Sequence, residues 1–197
     1  MTSRLVLIRH GESAWNARGL LQGQADPLLS DLGRRQARAL ALWAGTLAPV
    51  SVETSDLARA RETATLLGWP DARPDARWRE VDIGAWTGRT ATEVRAEEGD
   101  GAFHAWREGD HVPEGGESYD QLGDRVEAPA RELLATGGTH VVICHGGPIR
   151  MVCARLLGLD IRQLGGLGNT SATVLEGTGG GVRLAGYNLR GEGAEEL

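Results

Sequence analysis

Two histidines in this chain share one setting. The run Arg4–Ile8 passes through Arg9 into His10 and Gly11, and the run Val141–Cys144 passes into His145, Gly146 and Gly147. An apolar run that ends in histidine and then glycine predicts a strand whose carboxyl end opens on a ligand, because ligands of open α/β sheets collect beyond those ends. A neutral imidazole held there can attack an electrophile or carry a proton. The glycine beside it lets the backbone approach a ligand closely. After His145, Pro148 suits the first helical position. The unpaired N–H groups and positive dipole end of that helix would then attract an anion. His104, His111 and His140 have no metal-ligand spacing and read as packed or solvated side chains.

The elements that must position these groups alternate in type. Strand-like runs fall at Arg4–Ile8, Val50–Glu53 and Val141–Cys144, and Thr173–Leu175 with Val182–Ala185 predict a hairpin turning at Thr178–Gly181. From Ser30, Ala37, Leu40, Ala41, Ala44 and Leu47 recur on one helical face. Ser55 or Asp56 could cap a helix through Leu67, and Ser118 one carrying Leu122, Val126 and Leu133, which Pro129 should kink or break. Continuous apolar strands separated by helices predict an α/β chain, a three-layer α/β/α sandwich on a mainly parallel sheet.

Composition narrows the class. The chain has 197 residues, of which 41% are hydrophobic and 24% charged, which fits one globular domain and excludes a disordered or fibrous chain. The net charge of −6 argues against a nucleic-acid partner. Every one of the 21 basic residues is arginine, so any anion site must be built from guanidinium forks, which suit phosphate. No apolar run is long enough to span a bilayer, and Met1–Arg4 carries no apolar signal core. Cys144 and Cys153 sit in apolar stretches as reduced, buried thiols would. The expectation is a cytoplasmic chain with no membrane partner. Residues 1–190 are expected to form one domain with a lid-like segment at about 84–117, and 191–197 a frayed tail.

Several motifs, in order, resemble the histidine phosphatase superfamily, whose fold is that of the phosphoglycerate mutases. They are Leu7-Ile8-Arg9-His10-Gly11-Glu12-Ser13-Ala14-Trp15-Asn16, Leu28–Ala37, Thr54–Ala64, Arg79–Gly88 and Cys144-His145-Gly146-Gly147. The resemblance implies that His10 is the nucleophile and takes up the phosphoryl group. It places Arg9, Arg59 and His145, the last as an imidazolium, around the same phosphate, where catalysis is largely positioning and charge stabilisation. It makes Glu80 general acid and then base, with Asp82 the rival carboxylate. Asn16, Gly23 and Gly146 join Arg9 and Arg59 as phosphate contacts. Glu12 reads as a helix-start charge or a supporting partner, Arg61 and Glu62 as a solvated face, and Trp86 and Trp106 as packing in the lid.

The function so implied is a metal-independent phosphatase acting on a small phosphorylated metabolite, without cofactor or metal. The resemblance leaves a homodimer open. The lid segment carries Glu93, Glu97, Glu98, Asp100, Glu108, Asp110, Glu114 and Glu117 against Arg89, Arg95 and Arg107, a balance poorly suited to gripping two anionic groups. That favours a phosphatase over the alternative, a cofactor-dependent phosphoglycerate mutase. A non-catalytic phosphate-binding relative would have no need of Glu80, and a metal-dependent hydrolase built on His10 and His145 would lose activity on chelation.

Overall fold

The structure, a computed structural model, describes residues 2–190; the tail expected at 191–197 lies outside them. Twelve main elements follow one another. They are β1 (Ser3–Arg9), α1 (Asp31–Gly45), β2 (Ser51–Thr54), α2 (Ala58–Leu66), β3 (Arg73–Pro74), α3 (Ala91–Glu98), α4 (Asp100–Glu108), α5 (Tyr119–Ala135), β4 (Gly138–Cys144), α6 (Gly146–Leu157), β5 (Ala172–Thr178) and β6 (Gly181–Leu189). The sheet order is β3-β2-β4-β1-β5-β6. The pairs β3–β2, β2–β4 and β4–β1 are parallel, whereas β1–β5 and β5–β6 are antiparallel. The expected hairpin is thus β5–β6, at one edge of an otherwise parallel sheet.

Alternate residues of the central strands enter different cores. Val6, Ile8, Val141 and Ile143 pack with Leu40 and Ala44 of α1 and Ala60 and Ala64 of α2. Leu5, Leu7, Val142 and Cys144 pack with Leu122 and Val126 of α5 and Ile149 and Val152 of α6. Both faces of the sheet are covered, so the strands read as unbroken apolar runs. The expected three-layer sandwich is the observed one.

Four local expectations are corrected. α2 begins at Ala58 with Leu57 as its cap residue, and neither Ser55 nor Asp56 caps it. Asp26, from a distant loop, instead accepts the Ala58 N–H at 2.5 Å, while Asp56 pairs with Arg79 at 2.6 Å. α5 continues past Pro129 to Ala135, because burial of Val126, Pro129, Ala130 and Leu133 on the sheet outweighs the lost hydrogen bond. α6 starts at Gly146 with His145 as cap, so Pro148 is its third residue, where the missing N–H still costs nothing. Glu62 is no solvated charge: it accepts from Arg34 Nε at 2.6 Å and from the Leu29 N–H at 3.1 Å.

Segment 84–117 contains two helices that the strand and helix patterns did not register. Thr90 and Glu93 close a capping box on α3. Gly99 and Gly109, at φ +88° and +90°, end α3 and α4 in a backbone conformation that favours glycine. Val94 and Phe103 anchor the pair in the α5–α6 core.

Candidate active site

β1 and β4 lie side by side in register, Arg9 opposite Cys144, and the His10 N–H donates to the Cys144 carbonyl at 3.0 Å. That pairing carries both histidines to the same carboxyl edge. Their ring centroids are 5.1 Å apart and the planes are tilted by 60°. Beyond them opens a cavity of about 420 Å³. Arg9, His10, Asn16, Gly23, Arg59, Glu80 and Gly146 all line it. His145 is not among the residues that line it and is fully buried.

His10 Nδ1 lies 2.6 Å from the Gly11 carbonyl oxygen. A carbonyl only accepts, so the ring proton sits on Nδ1 and the Nε2 lone pair is free. Burial first, then the Arg59 and Arg9 charges, hold the His10 pKa well below 6.5, and the ring is neutral at pH 7. The His145 pKa is likewise well below 6.5, through burial and then Arg59, His10 and Arg9. In the ligand-free site this burial and these charges disfavour an imidazolium at His145. Among the described residues neither ring nitrogen of His145 has a hydrogen-bond partner.

Arg59 is fully buried at the start of α2. Its guanidinium donates to the Ala25 carbonyl at 2.6 Å and the Gly23 carbonyl at 2.8 Å. Burial pulls its pKa down to about 10, which leaves it charged at neutrality. Gly23 takes φ +49°, and a Cβ there would stand 2.7 Å from Ile83 Cγ1, so the turn that presents these carbonyls requires glycine. Arg9 donates to the Leu167 carbonyl, and burial lowers its pKa too.

Glu80 is fixed from the helix side. Its Oε1 accepts the Gly147 N–H of α6 and the Val81 N–H, each at 3.0 Å, which leaves Oε2 uncommitted. A Cβ on Gly146 would stand 4.0 Å from Oε2 and 3.9 Å from Arg9 Nε, so carboxylate and guanidinium flank the same point of the cavity. Asp82 instead accepts the Gly84 N–H at 2.9 Å and is no part of the wall. Glu12 accepts from the Ser30 hydroxyl at 2.6 Å, a supporting contact. Asn16 Oδ1 accepts the Ser13 N–H at 3.1 Å, and its own N–H donates to Ser13 Oγ at 3.0 Å. Trp86 is fully buried. Trp106 packs against the core and also lines the cavity.

Sequence reasoning missed other parts of the site. Asn169 Nδ2 donates to the His10 carbonyl at 3.1 Å, and Gly11 N–H to Thr63 Oγ1 at 3.1 Å; neither partner carries a local signal. Arg150 also lines the cavity. It stands four residues after Gly146 on α6, a spacing that could have placed it on the same face. Of segment 84–117 only Phe103, Trp106 and Arg107 reach the wall, and none of its eight named carboxylates does. Glu97 pairs with Arg89, Glu117 with Arg125 and Asp110 with Arg162, while Glu98 accepts from Trp86 Nε1. The charge of segment 84–117 therefore gives no reason to exclude a second anionic group. Among the described residues no three His, Cys, Asp or Glu are grouped so as to hold a metal ion.

Comparison with known proteins identifies the family. Residues 5–190 match the model of the histidine phosphatase superfamily, branch 1. Glucosyl-3-phosphoglycerate phosphatase of Mycolicibacterium vanbaalenii is 41% identical over 88% of this chain and 84% of its own length. Metal-independent phosphoserine phosphatase of Arabidopsis thaliana is 34% identical over 88% of this chain and 76% of its own. A mycobacterial glucosyl-3-phosphoglycerate phosphatase, solved with VO3, superposes with a TM-score of 0.87 at 38% identity, over 94% of this chain and 98% of that one. The chain belongs to the histidine phosphatase superfamily, branch 1.

Proposed function

We propose that this histidine phosphatase hydrolyses small phosphomonoesters without a metal, through a phosphohistidine on His10 and with Glu80 as proton carrier. The observation that carries the reading is the 2.6 Å contact of His10 Nδ1 with the Gly11 carbonyl, which leaves Nε2 as the nucleophile beside two guanidiniums.

In the first half-reaction the Nε2 lone pair forms the N–P bond as the bond from phosphorus to the leaving oxygen breaks. Glu80, protonated, gives its proton to that oxygen from Oε2. In the second half-reaction water attacks phosphorus, Glu80 takes the water proton, and the N–P bond breaks to restore neutral His10. Arg9 and Arg59 stabilise the phosphoryl oxygens throughout, and Asn16, Gly23 and the amino end of α6 at Gly146 complete the phosphate contacts. His145 becomes protonated only when a phosphate dianion offsets the arginines.

The activities for which those relatives are named support a phosphorylated sugar or similar metabolite as substrate. In this reading residues 1–190 work as one domain, with α3 and α4 as the lid. Buried, free Cys144 and Cys153 suit a reducing cytoplasm, and no described helix is long and apolar enough to cross a membrane. A panel of phosphorylated metabolites assayed in chelator tests the reading. Phosphate release is expected; isomerisation of 3-phosphoglycerate outpacing it would make the enzyme a mutase instead.

A further inference from the structure

The peptide that joins His10 to Gly11 is held from both sides. Asn169 Nδ2 donates to its carbonyl at 3.1 Å, and the Thr170 N–H donates to the same oxygen at 3.3 Å. On the other side the Gly11 N–H donates to Thr63 Oγ1 at 3.1 Å. The Thr63 hydroxyl gives its single proton to the Arg59 carbonyl at 2.7 Å and so meets Gly11 as an acceptor. Thr63 is fully buried. α1 makes a third wall, since a Cβ on Gly11 would stand 2.6 Å from the Gly33 carbonyl oxygen.

Asn169 holds a second group. Asn16 Oδ1 accepts the Ser13 N–H at 3.1 Å and lies 3.5 Å from Asn169 Nδ2. A backbone N–H only donates and a backbone carbonyl only accepts, so the orientation of both amides is fixed, and Asn16 keeps its Nδ2 for the cavity that it lines. Thr170, next in the chain, is buried at φ +55°, a left-handed conformation that a β-branched residue holds only where its surroundings impose it. Its N–H also donates to the Arg9 carbonyl at 3.1 Å, which ties the loop carrying Asn169 to the end of β1.

We infer that Thr63 and Asn169 are positioning residues of the phosphoryl transfer, which together fix the peptide that carries the His10 ring, and that Asn169 also fixes the Asn16 amide. The inference rests on the phosphohistidine reading. Neither side chain is among those that line the cavity, so both act through their neighbours. In-line attack needs Nε2 aimed at phosphorus, and a misplacement of about 1 Å costs about 10²-fold in rate. The Gly11 carbonyl that holds Nδ1 follows directly on the clamped peptide, so a twist of that peptide moves the ring and its anchor together.

Three variants test this. Thr63→Val removes the hydroxyl at nearly constant shape, Thr63→Ser keeps it, and Asn169→Ala opens the opposite side. Thr63→Val and Asn169→Ala are each expected to lower kcat by about 10- to 100-fold, and Thr63→Ser to stay within about threefold of wild type. Inhibition separates aim from binding. Inorganic vanadate imitates the phosphoryl group in flight and needs the bond from Nε2, whereas inorganic phosphate needs only the groups around it. In both slow variants the inhibition constant of vanadate is expected to rise at least about tenfold more than that of phosphate. A kcat within about threefold of wild type in either variant, equal weakening of vanadate and phosphate, or Thr63→Ser as slow as Thr63→Val overturns the inference. Should Thr63→Val fail to fold, Asn169→Ala, at a half-buried position, decides by the same two readings. Hydrolysis that persists in His10→Ala brings down the phosphohistidine reading instead.

Discussion

The rings of His10 and His145 stand 5.1 Å apart, both buried, and burial with the Arg59 and Arg9 charges holds both pKa values well below 6.5. Each ring has a proton affinity well below its unfolded value of 6.5, so below that pH the unfolded chain binds more protons than the folded one. Stability contributed by the pair is complete above about pH 6.5 and is lost as pH falls beneath it, by up to about 1.4 kcal/mol per pH unit for each ring. Urea unfolding between about pH 7.5 and 5 reads this slope, and His145→Asn should flatten it. Asp56 and Asp75, whose pKa values are lowered by Arg79 and Arg77, titrate at lower pH and leave this window clear.

His10→Ala should lower kcat by at least about 10⁴-fold, since it removes the nucleophile and the whole covalent route. Circular dichroism and the thermal midpoint check that the fold persists. Hydrolysis within tenfold of wild type would exclude His10 as nucleophile.

Arg59→Met separates charge from packing. Loss of a guanidinium at the phosphate should lower kcat/KM by about 10²–10³-fold. Stability should fall by no more than about 1 kcal/mol, because removing a desolvated cation offsets the loss of its hydrogen bonds to the Gly23 and Ala25 carbonyls. Paired activity and urea denaturation measure both effects.

Glu80→Gln should lower turnover of an alkyl phosphate by about 10²–10⁴-fold. A p-nitrophenyl ester, whose leaving oxygen needs no proton, should lose less in the phosphorylation step. Gly147→Ala should copy this pattern, since its Cβ would stand 2.4 Å from Glu80 Oε1. Single-turnover rates with the two esters check it; equal losses would point to a structural role for Glu80.

Legibility followed locality. β1 and β4 were legible because burial on both faces leaves continuous apolar runs, and His10 and His145 because each follows such a run directly. α2 was placed well but its cap was not, since Asp26 caps Ala58 from 32 residues away while Arg79 engages Asp56. Pro129 misled because the packing that tolerates it comes from the sheet. Composition does not say which side chains face the cavity: Phe103, Trp106 and Arg107 do, while Glu97, Asp110 and Glu117 pair with arginines elsewhere. Asn169, bonded to His10 across 159 residues, carried no local signal.

The most direct test is rapid quenching of turnover with a phosphate-labelled ester, followed by peptide mapping and phosphorus NMR. The account predicts an acid-labile, alkali-stable phosphate on Nε2 of His10, absent from His10→Ala. Label on Nδ1, on another residue, or on none during steady turnover would contradict it.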